Sequence, residues 1–483
     1  MPDTLSRPAP QTAPAPQTAA AREAALDALS ALLGQRLSRK PADLDHHAHS
    51  EAWYPATPPD AVAWPETTEE VSRIVRICAA HGLPIVAWGT GTSLEAQALA
   101  TEGGLTLDLS RMRAIRALHA EDMQVVVEPG ITREELNAEL RATGLFFPVD
   151  PGANASIGGM AATRASGTTT VRYGSMRDNV MGLEVVLADG RIIRTGSRAA
   201  KSAAGYDLTA LMLGSEGTLG IITELTLRLH GQPEAITSAV CAFDSFEAAV
   251  ETVMATIQMG LPMARIEFVD EDVARAFNAY ARTDMPEKPH LLIEFHGSQA
   301  GVAEQAEAFG AIVAEMGGAD FDWAASTEAR NALWKMRHGA YPACLAWRPG
   351  SIGLVTDICV PISRLAEAVA ETRADIRAEG LVGPILGHVG DGNFHAILLL
   401  ERDNPDELAR AKRVAGRMAE RALAMGGTVT GEHGVGIGKR AYMQAEHGEG
   451  WAVMGALKAA LDPRNLLNPG KLVPETPSPD ARA

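Results

Sequence analysis

PGANASIGGMAATRASG, residues 151–167, is the stretch of this sequence that decides the fold. Small residues stand at nearly every position where a side chain would block a flat ligand, so the backbone could approach such a ligand closely. A second loop of this kind, GTGTS at 89–93, could bring backbone N–H groups to a diphosphate. Taken alone, each loop is explained at least as well by tight turns and close packing.

Composition and charge argue against several classes of protein. The chain has 483 residues, a length that suggests roughly two or three domains, and its formal net charge is −17. A strongly acidic surface argues against nucleic-acid binding, which needs a basic surface, and against a polybasic membrane contact. The four cysteines form no CxxC pair, so neither a disulfide framework nor a zinc ribbon is expected. No apolar run is long enough for a transmembrane helix.

Local patterns in the first half predict a mixture of helices and strands. Residues 1–20 are rich in Pro, Ala and Gln and are predicted to be a disordered tail. Leucines at helical spacing predict a helix from about Ala21 that stops at Gly34. Two capping boxes, Thr67 with Glu70 and Thr132 with Glu135, predict the starts of two further helices.

Turn signals and a change of pattern organise the rest of the chain. Asp189-Gly190 lies between two apolar runs and predicts a hairpin. After Gln232-Pro233, long Ala/Glu-rich runs alternate with strand patterns, one of them at 354–359. Ser363 is predicted to cap a helix that ends near Glu379. No GxGxxG follows a strand pattern, so NAD is not the expected cofactor.

The stretch GHVGDGNFHAILLL, residues 387–400, predicts a hairpin that carries two histidines. If Asp391-Gly392 is a two-residue turn, His388 faces His395 across the strands with Cβ atoms about 5 Å apart. That spacing suits two ligands of one metal ion. A buried histidine pair, or a contact that responds to pH, would explain the same spacing.

A second stretch, TGEHGVG at 430–436, could complete this site. A carboxylate ligand from Glu432 would give a two-His, one-carboxylate metal site with open positions. His433 beside it would then be free to act as a base.

Together these stretches resemble a known family. The motifs are GTGTS, PVDPGANASIGGMAATRASG, LGSEGTLGIITELTL, TDICVPISRL, GHVGDGNFH, GTVTGEHGVGIGK and LDPRNLLNPGK. In this combination and order they resemble the FAD-linked D-2-hydroxy-acid dehydrogenases of the vanillyl-alcohol-oxidase-like group, and most of all their cytochrome-linked D-lactate dehydrogenases. The resemblance runs from about Pro55 to Val473.

The resemblance implies an α+β fold with a two-part FAD-binding domain. It implies a helical segment at 21–55, an FAD-binding domain at 56–233 and a substrate or cap domain with the metal hairpin at 234–425. A segment at 426–474 would return to the FAD domain, and a tail would follow at 475–483. The residues that the resemblance assigns to FAD are Gly89, Thr90, Gly91, Thr92, Ser93, Pro129, Gly130, Gly152, Ala155, Ser156, Gly158, Gly159, Gly167, Gly217, Gly220, Ile222 and Asn468. Because the 89–93 loop contains no histidine, FAD is expected to be noncovalent.

The resemblance also implies the chemistry. His388, His395 and Glu432 would hold a divalent metal, with zinc expected first and iron or manganese as alternatives, and His433 would be the base. Arg337 matches the arginine that the family uses for the substrate carboxylate. Relatives that act on D-2-hydroxyglutarate carry polar groups where this chain has Val355 and Ile397, with Tyr341 nearby. An apolar pocket would leave a second carboxylate unpaired, which favours a monocarboxylate such as D-lactate.

The partners and location are expectations of the same kind. The substrate would be a small 2-hydroxy acid, and the electron acceptor would be cytochrome c, a quinone or an electron-transfer flavoprotein. The enzyme is expected in the cytoplasm or peripherally at the inner face of a respiratory membrane. Three alternatives stay open: a glycolate oxidase subunit or D-2-hydroxyglutarate dehydrogenase, a flavin-free metal hydrolase, and a noncatalytic flavin-binding sensor.

Overall fold

The computed structural model describes residues 18–474, so most of both predicted tails lies outside the described residues. The first helix, α1, spans Ala19–Leu33, and the Thr18 side chain caps it by accepting the backbone N–H of Ala21. The predicted tail therefore extended two residues too far, because Thr18 already supplies a helix cap. Gly34, with φ +56°, ends the helix as predicted.

Three sheets lie in the first half of the chain. A four-stranded sheet has the order β1-β2-β4-β3, with β1 Leu37–Ser38, β2 Ala61–Ala63, β3 Ile85–Trp88 and β4 Leu105–Asp108. A five-stranded antiparallel sheet has the order β5-β6-β10-β8-β9. Its strands are β5 Ile115–His119, β6 Gln124–Val127, β8 Val180–Val186, β9 Ile192–Gly196 and β10 Ile221–Arg228. A small sheet pairs β7 Leu145–Phe146 with β11 His230–Gly231.

The remaining helices of this half are α2 Pro41–His46, α3 Thr68–His81, α4 Arg133–Leu140, α5 Ile157–Thr163, α6 Thr170–Tyr173, α7 Met176–Asn179 and α8 Leu208–Met212. Two of them, α3 and α4, begin where the sequence predicts. The box of Thr132 and Glu135 is confirmed. The box at Thr67 is only half formed, because the Glu70 carboxylate accepts from the backbone N–H of Glu66 and pairs with Arg36. The hairpin at Asp189-Gly190 is confirmed, since β8 and β9 pair antiparallel around it.

An eight-stranded sheet dominates the second half. Its order is β15-β12-β14-β13-β18-β19-β16, and β17 pairs with β19 beside it. The predicted single strand at 354–359 is wrong, because Asp357 turns away to bind the loop around His433 and splits it in two. The strands are β12 Ala235–Phe243, β13 Met263–Val269, β14 His290–Gly297, β15 Gly318–Trp323, β16 Ser351–Val355, β17 Ile358–Cys359, β18 Ile385–Gly387 and β19 Asn393–Glu401.

Helices cover this sheet and complete the chain. They are α9 Phe246–Gln258, α10 Glu271–Ala281, α11 Gln299–Glu315, α12 Thr327–His338, α13 Ala340–Trp347, α14 Leu365–Ala378, α15 Pro405–Ala424, α16 Met443–His447 and α17 Glu449–Leu461. Ser363 does not cap α14 as predicted, because a 3₁₀ turn over Ile362–Arg364 follows Pro361 and delays the helix to Leu365. Gly380, with φ +63°, lies just beyond the predicted end at Glu379.

Candidate active site

A cavity of about 660 Å³ lies where the glycine loops of the first half meet the sheet of the second half. Both glycine loops, the start of α13, the histidine loop and the Glu432 loop contribute to its wall. These segments are far apart in the sequence, so the fold alone brings them together. The predicted residues on the wall are Gly89, Thr90, Gly91, Thr92, Ser93, Gly152, Ala155, Gly159, Gly217, Arg337, Tyr341, Val355, His388, His395, Ile397, Glu432 and His433.

The 89–93 loop is shaped by close packing as well as by the cavity. Gly91 has φ +72°, and a Cβ there would overlap the ring of Trp88. A Cβ on Gly89 would overlap the hydroxyl of Ser156 in the second loop. The absence of side chains therefore lets the two loops approach one another and leaves backbone groups facing the cavity.

Eight of the predicted cofactor residues lie outside the cavity wall. Gly158, for example, packs so closely on Pro129 that a Cβ would overlap it. The Asn468 side chain donates to the backbone oxygens of Glu216 and Gln97, at 2.7 and 3.0 Å. These positions support the wall from behind, and their direct contact with a cofactor stays a prediction. The eight are Pro129, Gly130, Ser156, Gly158, Gly167, Gly220, Ile222 and Asn468.

The histidine hairpin has a longer turn than predicted. Leu386, not His388, stands opposite His395 in the register of β18 and β19. His388 precedes a 3₁₀ turn over Val389–Asp391, and the two-residue turn is therefore wrong. The two rings nevertheless converge, with centroids 5.6 Å apart.

Both imidazoles point at the same carboxylate oxygen. His388 Nε2 and His395 Nε2 lie 3.4 and 3.3 Å from Glu432 Oε1. On the far side of each ring, His395 Nδ1 lies 3.0 Å from the backbone oxygen of Thr356, and His388 Nδ1 lies 2.8 Å from Glu267 Oε1. Because Nδ1 has an acceptor in each case, the neutral tautomer that fits leaves the Nε2 lone pair directed at Glu432.

These groups perturb one another strongly. Burial disfavours the positive charge of His388, yet attraction to Glu267 and Glu432 raises the pKa of His388 well above its ordinary value. Burial likewise opposes the charge of Glu432, but His388 and His395 hold the pKa of that carboxyl well below its usual range. The cluster is thus stable only with positive charge between its carboxylates, supplied by protons or by a cation.

His433 is a neutral histidine at the edge of this cluster. Its ring stacks on that of His395 with centroids 4.9 Å apart and an interplanar angle of 7°. Burial lowers the pKa of His433 to about 4, although Asp357 opposes the shift. A histidine that is neutral near pH 7 can accept a proton.

The predicted substrate residues share another part of the wall. Arg337 is 6% exposed, and its Nη2 donates to Glu267 Oε2 at 2.6 Å. Its Nε is buried and has no partner within residues 18–474. Val355 and Ile397 stand directly opposite each other on β16 and β19, and Tyr341 lies on the same wall. The site therefore has a guanidinium beside an apolar surface.

Two family matches cover most of the chain. Residues 59–196 match the FAD binding domain, and residues 232–472 match the family of FAD linked oxidases, C-terminal domain. A probable mitochondrial D-lactate dehydrogenase of Danio rerio is 51% identical over 89% of this chain and 87% of that protein. The mitochondrial D-lactate dehydrogenase [cytochrome] of Arabidopsis thaliana is 46% identical over 86% of this chain and 74% of that protein.

The chain belongs to the FAD-linked oxidase family. The predicted resemblance is confirmed, and this FAD-linked oxidase is a flavoprotein oxidoreductase. The alternatives of a flavin-free hydrolase and of a noncatalytic sensor lose their support. The predicted α+β fold is confirmed too. The 4-ethylphenol oxidase of Gulosibacter chungangensis, only 19% identical, has the same fold, with a TM-score of 0.77 over 96% of this chain and 99% of that one. Within residues 18–474, no helix is both long and apolar enough to cross a membrane.

The glycine loops of this FAD-linked oxidase suit a flavin dinucleotide. Ser93 Oγ and Ser156 Oγ are buried, and neither has a hydrogen-bond partner within the described part of the chain. A buried hydroxyl without a partner costs about 1–3 kcal/mol. Ser93 lines the cavity, so a phosphate or flavin acceptor there would satisfy its hydroxyl, and the residues present fit FAD.

Sequence reasoning missed several side chains that support this oxidase's site. Ser166 Oγ donates to Glu432 Oε2 at 3.0 Å, and Gln97 Nε2 donates to the backbone oxygen of His433 at 2.6 Å. Asp357 accepts the backbone N–H of both Glu432 and His433. Asp357 stands in a quoted family motif, but no spacing or periodicity marked it as a partner of a loop more than 70 residues away.

Proposed function

We propose that this flavoprotein oxidises a D-2-hydroxy monocarboxylic acid, D-lactate first, to the 2-oxo acid, using noncovalent FAD and one divalent metal ion. The observation that carries the proposal is the shared cavity. It places the glycine loops, the Arg337 guanidinium, the neutral His433 and the two-His, one-carboxylate cluster on one wall. Two D-lactate dehydrogenases are 51% and 46% identical to this chain, which supports the same substrate.

The donor set supports the metal part of the proposal. Ligand atoms of His388, His395 and Glu432 all lie within 4.8 Å of one another. Two imidazole Nε2 lone pairs directed at one carboxylate oxygen repel it unless a proton or a metal cation lies between them, and three convergent ligand atoms suit a metal cation. Two histidines and one carboxylate suit zinc first, with iron or manganese as alternatives.

A second set of possible ligands is less suitable. Asp357, His395 and His433 also have ligand atoms within 4.8 Å. The Asp357 carboxylate, however, already accepts from Thr430 Oγ1, from two backbone N–H groups and from Asn393 Nδ2. Its lone pairs are thus committed to the protein, and His433 is left to serve as the base.

The residues divide the reaction between them. Arg337 binds the substrate carboxylate, since a guanidinium donates two parallel hydrogen bonds to a carboxylate. His433 accepts the hydroxyl proton, with Nε2 lying 3.7 Å from Glu432 Oε1. When bound, FAD supplies the two-electron acceptor for the hydrogen on Cα, and the metal supplies a Lewis acid that lowers the hydroxyl pKa. Holding the substrate between Arg337 and His433 fixes its orientation, which removes much of the entropic barrier.

The apolar wall selects the length and charge of the substrate. Val355, Ile397 and Tyr341 offer no charged partner to a distal carboxylate. Leaving that group unpaired would cost several kcal/mol, so we propose a monocarboxylate rather than D-2-hydroxyglutarate. Glycolate, which lacks a side chain to fill this wall, is the remaining alternative.

Replacing Val355 by Lys and Ile397 by Asn is expected to shift the ratio of kcat/KM values toward D-2-hydroxyglutarate by about tenfold or more. The new ammonium and amide would pair with the distal carboxylate. The measurement is kcat/KM for both substrates with an artificial dye acceptor. The matched control, Val355→Leu with Ile397→Val, keeps the wall apolar and should leave the ratio within about threefold. An unchanged ratio in the polar variant would contradict the assignment of this wall.

The acceptor and the location belong to the proposal as well. We propose cytochrome c as the acceptor, with a quinone or an electron-transfer flavoprotein as alternatives. The net charge of −17 favours a partner with a basic surface. The two relatives are mitochondrial proteins, which does not support a cytoplasmic location for this chain. The cytoplasmic or peripheral inner-membrane location therefore stays a prediction.

An anaerobic titration of the FAD-loaded, metal-replete protein tests the proposed reaction. We expect D-lactate to bleach the visible flavin band, whereas L-lactate should leave it oxidised. Bleaching by glycolate at lower concentrations than by D-lactate would favour the glycolate alternative. A flavin that stays oxidised with all three acids would contradict the proposed substrates.

A further inference from the structure

Glu267 lies directly behind the site and contacts two of its residues. It stands on β13 with 1% of its surface exposed, outside the cavity wall. Its Oε2 accepts a hydrogen bond from Arg337 Nη2 at 2.6 Å. Its Oε1 pairs with His388 Nδ1 at 2.8 Å. Each oxygen therefore serves a different half of the site, the substrate arginine on one side and the metal-binding histidine on the other.

We infer that Glu267 is a positioning residue that couples substrate binding by Arg337 to metal binding by His388. The inference rests on the proposed function, since it needs Arg337 to bind the substrate and His388 to bind the metal. It adds a residue that touches neither ligand. A single carboxylate holding both side chains means that a disturbance on one side reaches the other through two hydrogen bonds.

The histidine side of this contact determines which nitrogen faces the metal. With its Nδ1 proton donated to Glu267, His388 presents its Nε2 lone pair to Glu432 Oε1, 3.4 Å away. A carboxylate behind a ligating histidine fixes its tautomer and orientation and raises its basicity. Losing such a partner typically weakens metal binding about 10–100-fold. His395 has a weaker version of the same support, a neutral backbone oxygen of Thr356.

The arginine side holds a buried charge in place. Arg337 lies in the last turn of α12, and Glu267 is its ion-pair partner at 2.6 Å. A buried guanidinium without a carboxylate would be strongly unfavourable, so Glu267 keeps Arg337 inside. Glu267 uses only Nη2, and the buried Nε has no partner within residues 18–474. The arrangement orients Arg337 without occupying all of its donors.

Replacing Glu267 by glutamine keeps the size of the side chain, so it tests the contacts with Arg337 and His388 separately from packing. An amide has one acceptor oxygen, so Glu267→Gln can serve Arg337 or His388 but not both. We expect the oxygen to turn to the charged Arg337, with a weaker bond than the ion pair, and His388 to lose its acceptor. The expected results are a Kd for Zn²⁺ about 10–100-fold higher and a KM for D-lactate roughly tenfold higher, while kcat at saturation changes less than about threefold.

Zinc binding is measured on the full chain with FAD bound and without substrate, by competition with a chromogenic chelator. Zn²⁺ binds nitrogen and oxygen sites more tightly than Mn²⁺ or Fe²⁺, so it reports the site whichever metal is resident. KM and kcat are then measured with D-lactate at saturating concentrations of the metal that gives wild-type protein its highest activity.

Glu294 provides a matched control on the neighbouring strand, β14. It is also a buried carboxylate that pairs with a histidine, His296 Nε2 at 2.8 Å, and with an arginine, Arg265 Nη1 at 3.5 Å. None of these three residues lies on the cavity wall. Glu294→Gln should therefore lose stability like Glu267→Gln but keep the wild-type Kd for Zn²⁺ and the wild-type KM.

The outcomes separate this inference from the proposed function. If wild-type protein binds no Zn²⁺ and is not reduced by D-lactate, the proposed function fails and the inference fails with it. If wild-type protein does both and Glu267→Gln keeps a Kd within about twofold, only the inference is overturned. Should Glu267→Gln fail to fold, the pair Glu267→Gln with Arg337→Met removes the unpaired charge. It should still bind Zn²⁺ about 10–100-fold more weakly than Arg337→Met alone, and equal affinity would overturn the inference.

Discussion

Replacing His433 by alanine is expected to lower kcat for D-lactate by about 10²–10⁴-fold while FAD stays bound. Burial keeps His433 neutral, with a pKa of about 4, so it can accept the hydroxyl proton that alanine cannot. The FAD loops lie on other segments of the cavity wall, and flavin absorbance should therefore be retained. The measurement is the rate of flavin reduction in anaerobic stopped flow at saturating D-lactate.

His290 gives a control for the loss of a buried imidazole. It is 2% exposed, its pKa is also lowered by burial, and it lies outside the cavity wall. His290→Ala should reduce stability but leave the rate of flavin reduction within about threefold. A His433→Ala protein that reduces its flavin within about tenfold of the wild-type rate would exclude His433 as the base.

The glycine loops show how far a local pattern reaches. The small residues at 89–93 and at Gly152, Ala155 and Gly159 predicted backbone exposed to a flat ligand, and these residues do line the cavity. Gly158 lies in the same glycine-rich stretch and cannot be distinguished from Gly159 by sequence, but it packs against Pro129 outside the cavity wall. A missing side chain indicates that something approaches closely, and only the fold decides whether that is a ligand or another part of the chain.

The histidine loop brings the two predicted histidines together although the predicted register of their hairpin is wrong. Asp391-Gly392 favours a two-residue turn, but the observed turn includes Val389–Asp391 and packs closely against distant segments. A Cβ on Gly390 would lie 2.7 Å from Ile266 Cγ2 and 2.9 Å from Val171 Cγ2, and one on Gly392 would overlap the backbone oxygen of Val360. These neighbours cannot be identified from the hairpin sequence, so its register could not be predicted from the turn signal alone.

Glu267 and Asp357 mark the limit of sequence reasoning on this site. Each is an isolated acidic residue in a strand or loop, and most such residues lie on the surface. Their role comes from being almost fully buried, at 1% and 0% exposed, against donors from other segments. A buried carboxylate must have its lone pairs satisfied, so burial itself is the signal, and only the folded chain provides it.

Replacing Asp357 by alanine is expected to lower the free energy of unfolding by about 3–5 kcal/mol and to reduce kcat by at least about tenfold. Asp357 Oδ2 accepts the backbone N–H of Glu432 and His433 at 3.0 and 2.9 Å, and the hydroxyl of Thr430 at 2.7 Å. Alanine leaves these donors unsatisfied and frees the loop that holds both Glu432, the proposed metal ligand, and His433, the proposed base. The measurements are urea unfolding followed by flavin fluorescence, and kcat of the folded protein.

Replacing Asp357 by asparagine should lower the free energy of unfolding by less than replacing it by alanine, for a reason specific to this structure. The oxygen of the introduced amide can still serve the loop, and its NH₂ group would then face Asn393, whose Oδ1 is buried without a partner within residues 18–474. Rotation of the Asn393 amide would bring its Oδ1 to the new donor. The hydrogen bond that Asn393 Nδ2 donates to the backbone oxygen of Ile358 would then be lost. Asp357→Asn is therefore expected to lose about 1–2 kcal/mol, close to the cost of one unsatisfied group.

Asp270 distinguishes the loss of loop geometry from the loss of a buried carboxylate in general. It is 2% exposed, accepts the backbone N–H of Asp272, Val273 and Ile385, and does not itself line the cavity wall. Asp270→Ala should lower stability by a similar amount but keep kcat within about threefold. Asp357→Ala with wild-type kcat would show that the Glu432–His433 loop keeps its geometry without this anchor, and the base would then be positioned by Gln97 and its stacking on His395 instead.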